Sequence, residues 1–264
     1  MELKLYDIIP SLQPYVKIIC SMESGNGSCY ASSFRVLPDT CVELFVNYEG
    51  SRQTVTAAGV LKQPTCFIVS RMSRYMDVQG HGRSGFISVC FLPGAAANFF
   101  PVAMHEVSDS MINLCDLWKN VATEMEDQVS CAMNNYERVA IIQEYLTRQL
   151  EKLKNPDKTV EHWLWQVTFF KGQLTVEDLS RKVNISQRQL GRRFNQTVGL
   201  SPKEFSRVTR FIHSLRHLKK YPSLSLTEIA YESGYYDQAH FIHDYKNYAG
   251  LTPGELVADA SILY

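Results

Sequence analysis

Between Leu174 and Pro202 the chain reads LTVEDLS (174–180), ISQRQLGRRF (185–194) and GLSP (199–202). Between Leu224 and Pro253 it reads LSLTEIA (224–230), YYDQAHFIHDY (235–245) and GLTP (250–253). Residue types and spacing agree between these two runs, which begin about fifty residues apart. One local structure is therefore predicted to occur twice, and the rest of the chain is interpreted around it.

Each run predicts two short helices with good start signals. The first helix opens at a hydroxyl side chain, Thr175 or Ser225, which can accept from the unpaired amides of the first turn. The second helix opens in the same way at Ser186 or Asp237. Apolar residues then recur at three- and four-residue spacing, so each helix is expected to bury one face and expose the other.

The two helices of each run are separated by a brief break. It contains Asn184 in the first run and Gly234 in the second, and both residue types tolerate a left-handed backbone. Two helices joined by such a tight turn are typical of the helix-turn-helix motif, whose second helix enters the major groove of DNA.

The second helix of each run carries side chains that can read bases. Arginine can donate to guanine O6 and N7 together, and glutamine pairs with adenine N6 and N7. The predicted DNA-contacting residues are Gln187, Arg188, Arg192 and Arg193 in the first run, and Gln238, Ala239, Ile242 and His243 in the second. A single polar helix face is more often just solvated, but two in tandem favour a pair of DNA-reading helices.

A longer helix is predicted between the two motifs. Pro202 suits its first turn, and the apolar positions Phe205, Val208, Phe211, Ile212, Leu215 and Leu218 recur at helical spacing. Such a rod would hold the two reading helices at a fixed separation, in major grooves roughly 34 Å apart. Its basic residues Arg207, Arg210 and Arg216 fit either a packing role or contacts with the DNA backbone.

The region from about 160 to 255 resembles the DNA-binding domain of the AraC/XylS family of bacterial transcription regulators. The matching residues are Leu179-Ser180, Ile229-Ala230, Ser186 to Phe194, Arg210, Gly234-Tyr235, Phe241 to Lys246, and Gly250-Leu251-Thr252-Pro253. The resemblance implies a sequence-specific transcription regulator with operator or promoter DNA and RNA polymerase as partners. Two positions depart from the family pattern: His243 stands where Arg is usual, and Tyr245 where Phe is usual. Because His is mostly uncharged at neutral pH, the second helix is expected to hold DNA less strongly.

Charge is unevenly distributed along a chain whose 27 basic and 27 acidic residues balance overall. Residues 171–255 contain 13 Lys and Arg against 8 Asp and Glu, so the other residues contain 14 basic and 19 acidic side chains. A basic carboxyl-terminal part favours a DNA-binding module attached to a domain that does not contact DNA. At 264 residues with 45% hydrophobic content, the chain has room for two domains with ordinary cores.

Cysteine usage and hydropathy bear on the compartment. The seven cysteines are Cys20, Cys29, Cys41, Cys66, Cys90, Cys115 and Cys131, and no two form a Cys-x-x-Cys pair. This pattern predicts free thiols in a reducing compartment, with no metal site and no cofactor. No leader and no run approaching the ~20 apolar residues of a membrane span is found, so we expect a cytoplasmic, nucleoid-associated protein without a membrane partner.

The amino-terminal half predicts short strands with Gly and Pro punctuation. The candidates are residues 15–22, 29–36, 41–48, 54–60, 65–70, 75–80 and 86–92. They favour a small barrel or sandwich, and the family resemblance implies a cupin-type β-barrel that binds an effector or makes dimers. Arg35, Glu43, Asn47 and His81 are the candidate effector contacts, although each fits a solvent-facing or structurally paired role as well. Phe34, Phe45, Phe67 and Phe86 are expected in the core.

Helical periodicity begins near residue 95 and continues to residue 154. Its last helix carries an apolar seam that includes Val139, Ile142, Leu146 and Leu150. The seam fits packing on its own barrel and pairing with a second copy of the chain, as a candidate homodimer, about equally well. Residues 155–158 contain a helix-breaking proline and predict a short linker.

Together these observations predict an α+β chain of two domains. Residues 1–154 form a regulatory, effector-binding or dimerisation domain with a small cupin-like barrel and following helices. Residues 159–264 form an all-α domain with two helix-turn-helix motifs joined by a long helix. No metal cluster, phosphate-binding loop or Ser, His and Asp motif is recognisable, so an enzyme is disfavoured. Two regulators remain open: one that responds to a small molecule, and one whose amino-terminal domain only makes protein contacts.

Overall fold

The computed structural model describes residues 2–23, 32–50, 52–56, 59–70, 73–80, 84–152, 157–183, 185–258 and 262–263. In the amino-terminal part, runs rich in β-branched and aromatic residues form strands. These are β1 (Glu2–Tyr6), β2 (Val16–Glu23), β3 (Ser32–Val36), β4 (Val42–Glu49), β5 (Arg52–Thr56), β6 (Gly59–Lys62), β7 (Cys66–Ser70), β8 (Met76–Gly80) and β9 (Gly85–Phe91). A 3₁₀ turn (Ala95–Asn98), helix α1 (Met104–Val107) and strand β10 (Met111–Asn113) follow.

The remaining elements are helical apart from one short strand. They are α2 (Leu114–Trp118), α3 (Asn120–Cys131), α4 (Asn135–Leu150), α5 (Lys158–Phe169), α6 (Val176–Val183), α7 (Gln187–Thr197), α8 (Pro202–Lys220), α9 (Leu226–Glu232), α10 (Gln238–Ala249), α11 (Pro253–Ala258) and β11 (Ile262–Leu263). The predicted α+β class, with an amino-terminal β part and a carboxyl-terminal helical part, is confirmed.

The strands form two sheets. One has the order β1-β2-β9-β4-β7-β10, and the other has the order β11-β3-β8-β5-β6. Neighbouring strands pair antiparallel, except that β11 runs parallel to β3. Among the described strands no pairing joins the two sheets. The predicted barrel is therefore open, with two sheets facing each other across a central space.

Two of the expected strand assignments differ from the structure. Residues 54–60 were expected to form one strand, but residues 54–56 end β5, residues 59–60 begin β6, and these two strands pair antiparallel; residues 57–58 lie outside the described residues. The strand expected from residue 29 has its described part in β3, and residues 29–31 lie outside the described residues. Edge strands β1, β10 and β11 were not predicted, because strands of five, three and two residues give little periodicity.

The apolar seam of α4 packs inside its own chain. Val139 is nearly inaccessible, and Ile142 and Leu146 are fully buried. Leu150 is partly buried against the same core, where α4 packs on α3 and β9. Of the two roles left open for these four residues, the structure shows packing on the sheet and α3 of the same chain.

A chain of aromatic rings forms the core of the helical domain. Trp163 of α5 lies 6.2 Å from Phe194 of α7, and Phe194 lies 5.9 Å from Phe205 of α8, measured between ring centroids. Phe211 of α8 meets Tyr245 of α10 at 5.0 Å. Long helix α8 therefore joins the two helix-turn-helix units through buried rings, as its periodicity predicts.

Several contacts join the two parts of the chain. Arg35 of β3 donates to the Ala249 carbonyl at the end of α10 (3.0 Å). The Ser108 hydroxyl after α1 donates to the Gly199 carbonyl between α7 and α8 (2.7 Å). With the pairing of β11 to β3, these contacts dock the helical domain on the sheets.

No helix within the described ranges is both long enough and apolar enough to cross a bilayer. Six of the seven cysteines fall in the described ranges, and all six are free thiols, as predicted; Cys29 lies outside those ranges.

Candidate functional site

Helix α7 exposes the predicted reading residues of the first motif. Ser186 begins it as a capping box: the Ser186 hydroxyl accepts from the Gln189 amide, and the Gln189 side chain accepts from the Ser186 amide. Gln187, Arg188 and Arg192 are exposed, whereas the apolar face is fully buried. This sharp division follows from the sequence, since Leu190 and Phe194 are the apolar pair at four-residue spacing.

Arg193 lies at the flank of that surface. Its guanidinium is 3.5 Å from the carboxylate of Asp157, which caps the first turn of α5. Part of its hydrogen-bonding capacity therefore ties α7 to the start of the domain. Because surface ion pairs of this kind contribute little, the side chain stays available to a phosphate.

Helix α10 exposes fewer of its predicted DNA-contacting residues than α7 does. Asp237 caps it by accepting from the His240 amide, as predicted. Ala239 and His243 are exposed, Gln238 accepts from the Thr227 hydroxyl (2.8 Å), and Ile242 is partly buried against the core. Gln238 and Ile242 are thus less open to solvent than the reading residues of α7.

The open question about the basic residues of α8 is answered by their contacts. Arg207 donates to the buried carboxylate of Asp244 in α10 (2.6 Å), which raises the pKa of Arg207. Arg210 donates to the Gly172 carbonyl at the entrance to the first motif (3.1 Å). Arg207 therefore holds α8 to α10 of the second motif, and Arg210 holds α8 to the segment that leads into the first motif. Arg216 lines a cavity instead.

That cavity, of about 800 Å³, lies between the two sheets and the helical domain. Every second residue along the strands of the six-stranded sheet points into the cavity. This follows because successive side chains of a strand point to opposite faces of the sheet. Its apolar wall includes Phe45, Phe67 and Phe86, with Phe45 stacked on Phe67 at 5.2 Å. The aromatics expected in the core thus border an internal space; the side chain of Phe34 lies outside the description.

Cationic groups from both parts of the chain line this cavity. Lys17 is the extra residue of a bulge in β2, and Lys171 and Arg216 come from the helical domain. The Cys41 sulfur beside it raises the pKa of Lys17, while the charge of Arg216 acts in the opposite direction. Burial lowers the pKa of His213 to about 4, and the charge of Lys171 adds to that effect. His213 is therefore neutral at neutral pH, and the positive charge of the wall comes from the other three.

The four candidate effector residues fall in different places. Glu43 lines the cavity. Arg35 instead pairs with Asp77 (2.7 and 2.9 Å), lies over the Tyr75 ring and holds the helical domain, so it is a structural residue. Asn47 donates to the Pro64 carbonyl (2.9 Å) beside the sheet, and His81 lies outside the described residues. Arg35 and Asn47 therefore have structural partners, which is one of the roles that the sequence leaves open for them.

Sequence reasoning missed Lys17 and Lys171 and left Arg216 undecided. No local pattern marks them, because only the bulge in β2 and the docking of the two domains bring their side chains to one cavity.

Known proteins are similar to both parts of the chain. Residues 179–259 match a family described as a helix-turn-helix domain, and residues 9–113 match a domain of unknown function. The Msm operon regulatory protein of Streptococcus mutans is 29% identical over 118 residues, which are 44% of this chain and 42% of that protein. The transcriptional activator RhaS of Citrobacter koseri is 32% identical over 93 residues, 35% of this chain and 33% of that protein. The chain thus spans less than half the length of these curated relatives.

Several solved structures align along most of the chain. ToxT from Vibrio cholerae, with an unsaturated fatty acid bound, covers 92% of this chain and 95% of its own at 12% identity and a TM-score of 0.45. The relatives named here are regulators of transcription rather than enzymes, in agreement with the expectation from sequence. The helix-turn-helix match falls on the repeated motifs, so residues 179–259 form a helix-turn-helix domain similar to those of AraC/XylS transcription regulators.

Proposed function

We propose that this protein regulates transcription by sequence-specific binding to double-stranded DNA, with α7 and α10 in successive major grooves. The observation that carries the proposal is the pair of capped helices whose polar faces are exposed while α8 braces both from the inside. Gln187, Arg188 and Arg192 read bases in the first groove, and Arg193 contacts the backbone. In the second groove Ala239 and His243 make the outer contacts, with Gln238 and Ile242 beside them.

The two helices contribute unequally to DNA binding in this proposal. Helix α7 presents three arginines, one of them shared with Asp157, whereas α10 presents His243 and no arginine. His243 shares a hydrogen bond with Asn247 (3.1 Å). We therefore assign most of the base discrimination to α7 and a shape- and methyl-dependent role to α10.

Selection of bound duplexes from a random pool by the full chain, at a fixed salt concentration, tests this function. We expect a site with two conserved blocks whose centres are roughly one helical turn, ~10 base pairs, apart, the block under α7 being better defined. Salt must be fixed because phosphate contacts make affinity strongly salt-dependent. If the bound duplexes shared no sequence motif, whatever fixed salt concentration was chosen, the proposal would be contradicted.

The cavity supports a small-molecule effector as the regulator of this DNA binding. Its volume lies within the ~300–1,000 Å³ of typical ligand sites, and an apolar wall meets cations from both parts of the chain. An amphipathic ligand with an anionic group would bury its apolar part against the sheet. Its charge would attract Lys171 and Arg216 of the helical domain, so binding would alter how that domain docks.

A thermal-shift comparison on the full chain tests the effector. A medium-chain alkyl carboxylate is expected to raise the unfolding midpoint more than the alcohol of equal chain length, since saturating ligand stabilises by roughly 2–3 kcal/mol. Arg216→Ala should abolish this difference. Lys203→Ala, which removes an exposed charge from the same helix outside the cavity, should keep it. No shift with either compound would favour the alternative regulator, whose amino-terminal domain makes only protein contacts.

A further inference from the structure

Two cysteines and an aspartate that are distant in sequence meet at the wall of the cavity. Cys90 of β9 is in register with Glu43 of β4, so Cys41, two residues earlier, projects on the same face. The Cys41 and Cys90 sulfurs and a carboxylate oxygen of Asp39 all lie within 4.8 Å of one another. The cysteine spacing gave no sign of a metal site, because the pairing of β4 with β9 is what creates this cluster.

We propose that Asp39, Cys41 and Cys90 form a binding site for a thiophilic divalent cation of the zinc type. Zinc takes cysteine sulfur at about 2.3 Å and carboxylate oxygen at about 2.0–2.2 Å. In a tetrahedral site two such sulfurs stand roughly 3.8 Å apart, which is compatible with ligand atoms that all lie within 4.8 Å of one another. The ion therefore needs little rearrangement of the ligand atoms.

A disulfide fits the same pair less well. It needs the two sulfurs at about 2.05 Å and the two Cα atoms within about 7 Å. Residues placed diagonally on antiparallel strands stand about 7–8 Å apart. Cys41 and Cys90 hold this diagonal relation, so an ion can bridge them where a direct bond would require the backbone to move.

The surroundings of the cluster match a thiolate-rich site. Asp39 is positioned by accepting from the Cys41 amide (2.9 Å), which aims its carboxylate back at the sulfur. The Lys17 ammonium lies 3.9 Å from the Cys41 sulfur and can donate to a metal-bound thiolate as an outer-shell partner. Two thiolates, one carboxylate, one ammonium and a divalent ion sum to zero charge, so this buried set is electrically balanced.

The cavity supplies access and the remaining ligand. Asp39, Cys41 and Lys17 all line it, while both cysteines are otherwise buried. An ion entering through the cavity displaces the two thiol protons, which pass to solvent, and takes a water molecule as its fourth ligand. Three protein ligands with one open position make an open site, unlike the four-ligand sites that zinc occupies for structure alone. This inference does not depend on the proposed effector.

Cobalt titration of the full chain, kept reduced and freed of metal with a chelator, tests the site. We expect one cobalt ion per chain, a near-ultraviolet sulfur-to-cobalt charge-transfer band, and displacement of that band by zinc. Cobalt binding without a thiolate band in the wild-type chain would overturn the proposal, whatever the variants do.

Variants locate the ligands. Cys41→Ser and Cys90→Ser should each weaken zinc binding by at least about tenfold, as loss even of outer-shell partners does. Cys131→Ser, which changes an exposed thiol on α3, serves as the matched control and should bind as tightly as the wild type. Circular dichroism confirms that each variant is folded. If the folded Cys41→Ser/Cys90→Ser double variant gave a sulfur-to-cobalt charge-transfer band as intense as that of the wild type, the assignment of the ligands would also be overturned.

Discussion

Replacing Gly172 by Ala is expected to destabilise the helical domain by about 3–5 kcal/mol, combining left-handed strain with loss of a charged hydrogen bond. Gly172 has φ +75°, and a Cβ there would stand 2.2 Å from the Ser206 carbonyl oxygen and 2.8 Å from the Arg210 amide nitrogen. Both atoms belong to the backbone of α8, so neither can swing aside. The helix would have to move away, which would also break the hydrogen bond from Arg210 to the Gly172 carbonyl.

Urea unfolding of the full chain, followed by fluorescence, measures this effect, since Trp163 is buried in the affected core. Gly191→Ala is the matched control. Gly191 lies in α7, where an added Cβ meets no atom within 4 Å. That change should stabilise the helix by roughly 0.5–1 kcal/mol. A Gly172→Ala variant as stable as Gly191→Ala would contradict the close packing of the α5–α6 junction on α8.

The close packing of Gly172 on α8 fixes the position of the first helix-turn-helix motif relative to this long helix. Next to Gly172, Gln173 reaches the second motif, because a Cβ on Gly234 would lie 2.6 Å from the Gln173 side chain. The two helix-turn-helix units therefore meet near this junction as well as along α8. A shift of α8 would change the relative placement of α7 and α10, and we expect DNA affinity to fall together with stability.

The parts of this protein that sequence predicts are those set by neighbours in the chain. Ser186 and Asp237 cap their helices because a side-chain oxygen and an amide three residues away meet in any helix of this kind. Gly234 adopts the left-handed backbone expected at the break, with φ +80°. The repeated motif was predicted for the same reason, since each of its signals is complete within ten residues or so.

The parts that sequence left open depend on distant partners. The α4 seam has the same periodicity whether it packs on a sheet or on a second chain, and only the structure shows that Leu146 is covered from within. From sequence Arg35 fits a ligand contact as well as a structural pair, because its partners Asp77 and Ala249 come from another strand and another domain. The Cys41–Cys90 cluster likewise arises from strand register, which no cysteine spacing reveals.

The double change Arg188→Ala/Arg192→Ala is expected to remove most sequence preference while leaving the fold intact. Both guanidiniums are exposed on α7, so their loss exposes no buried partner. A base-reading arginine contributes about 1–3 kcal/mol of discrimination, so the pair should lower affinity for the selected site at least thirtyfold, roughly 2–6 kcal/mol in all. Arg192→Ala alone should lose about 1–3 kcal/mol and relax base preference at one position.

Lys219→Ala/Lys220→Ala is the control, because it removes the same two charges from the exposed carboxyl end of α8. Affinities of both variants for the selected site and for a scrambled duplex are measured across a salt series. Loss of base contacts lowers affinity for the selected site alone, whereas loss of a phosphate contact weakens both duplexes and reduces the salt slope by about one per contact. Equal weakening on both duplexes by the arginine variant would mean that α7 holds the backbone without reading bases. Base discrimination would then have to come from α10, whose His243 offers far less than a pair of arginines.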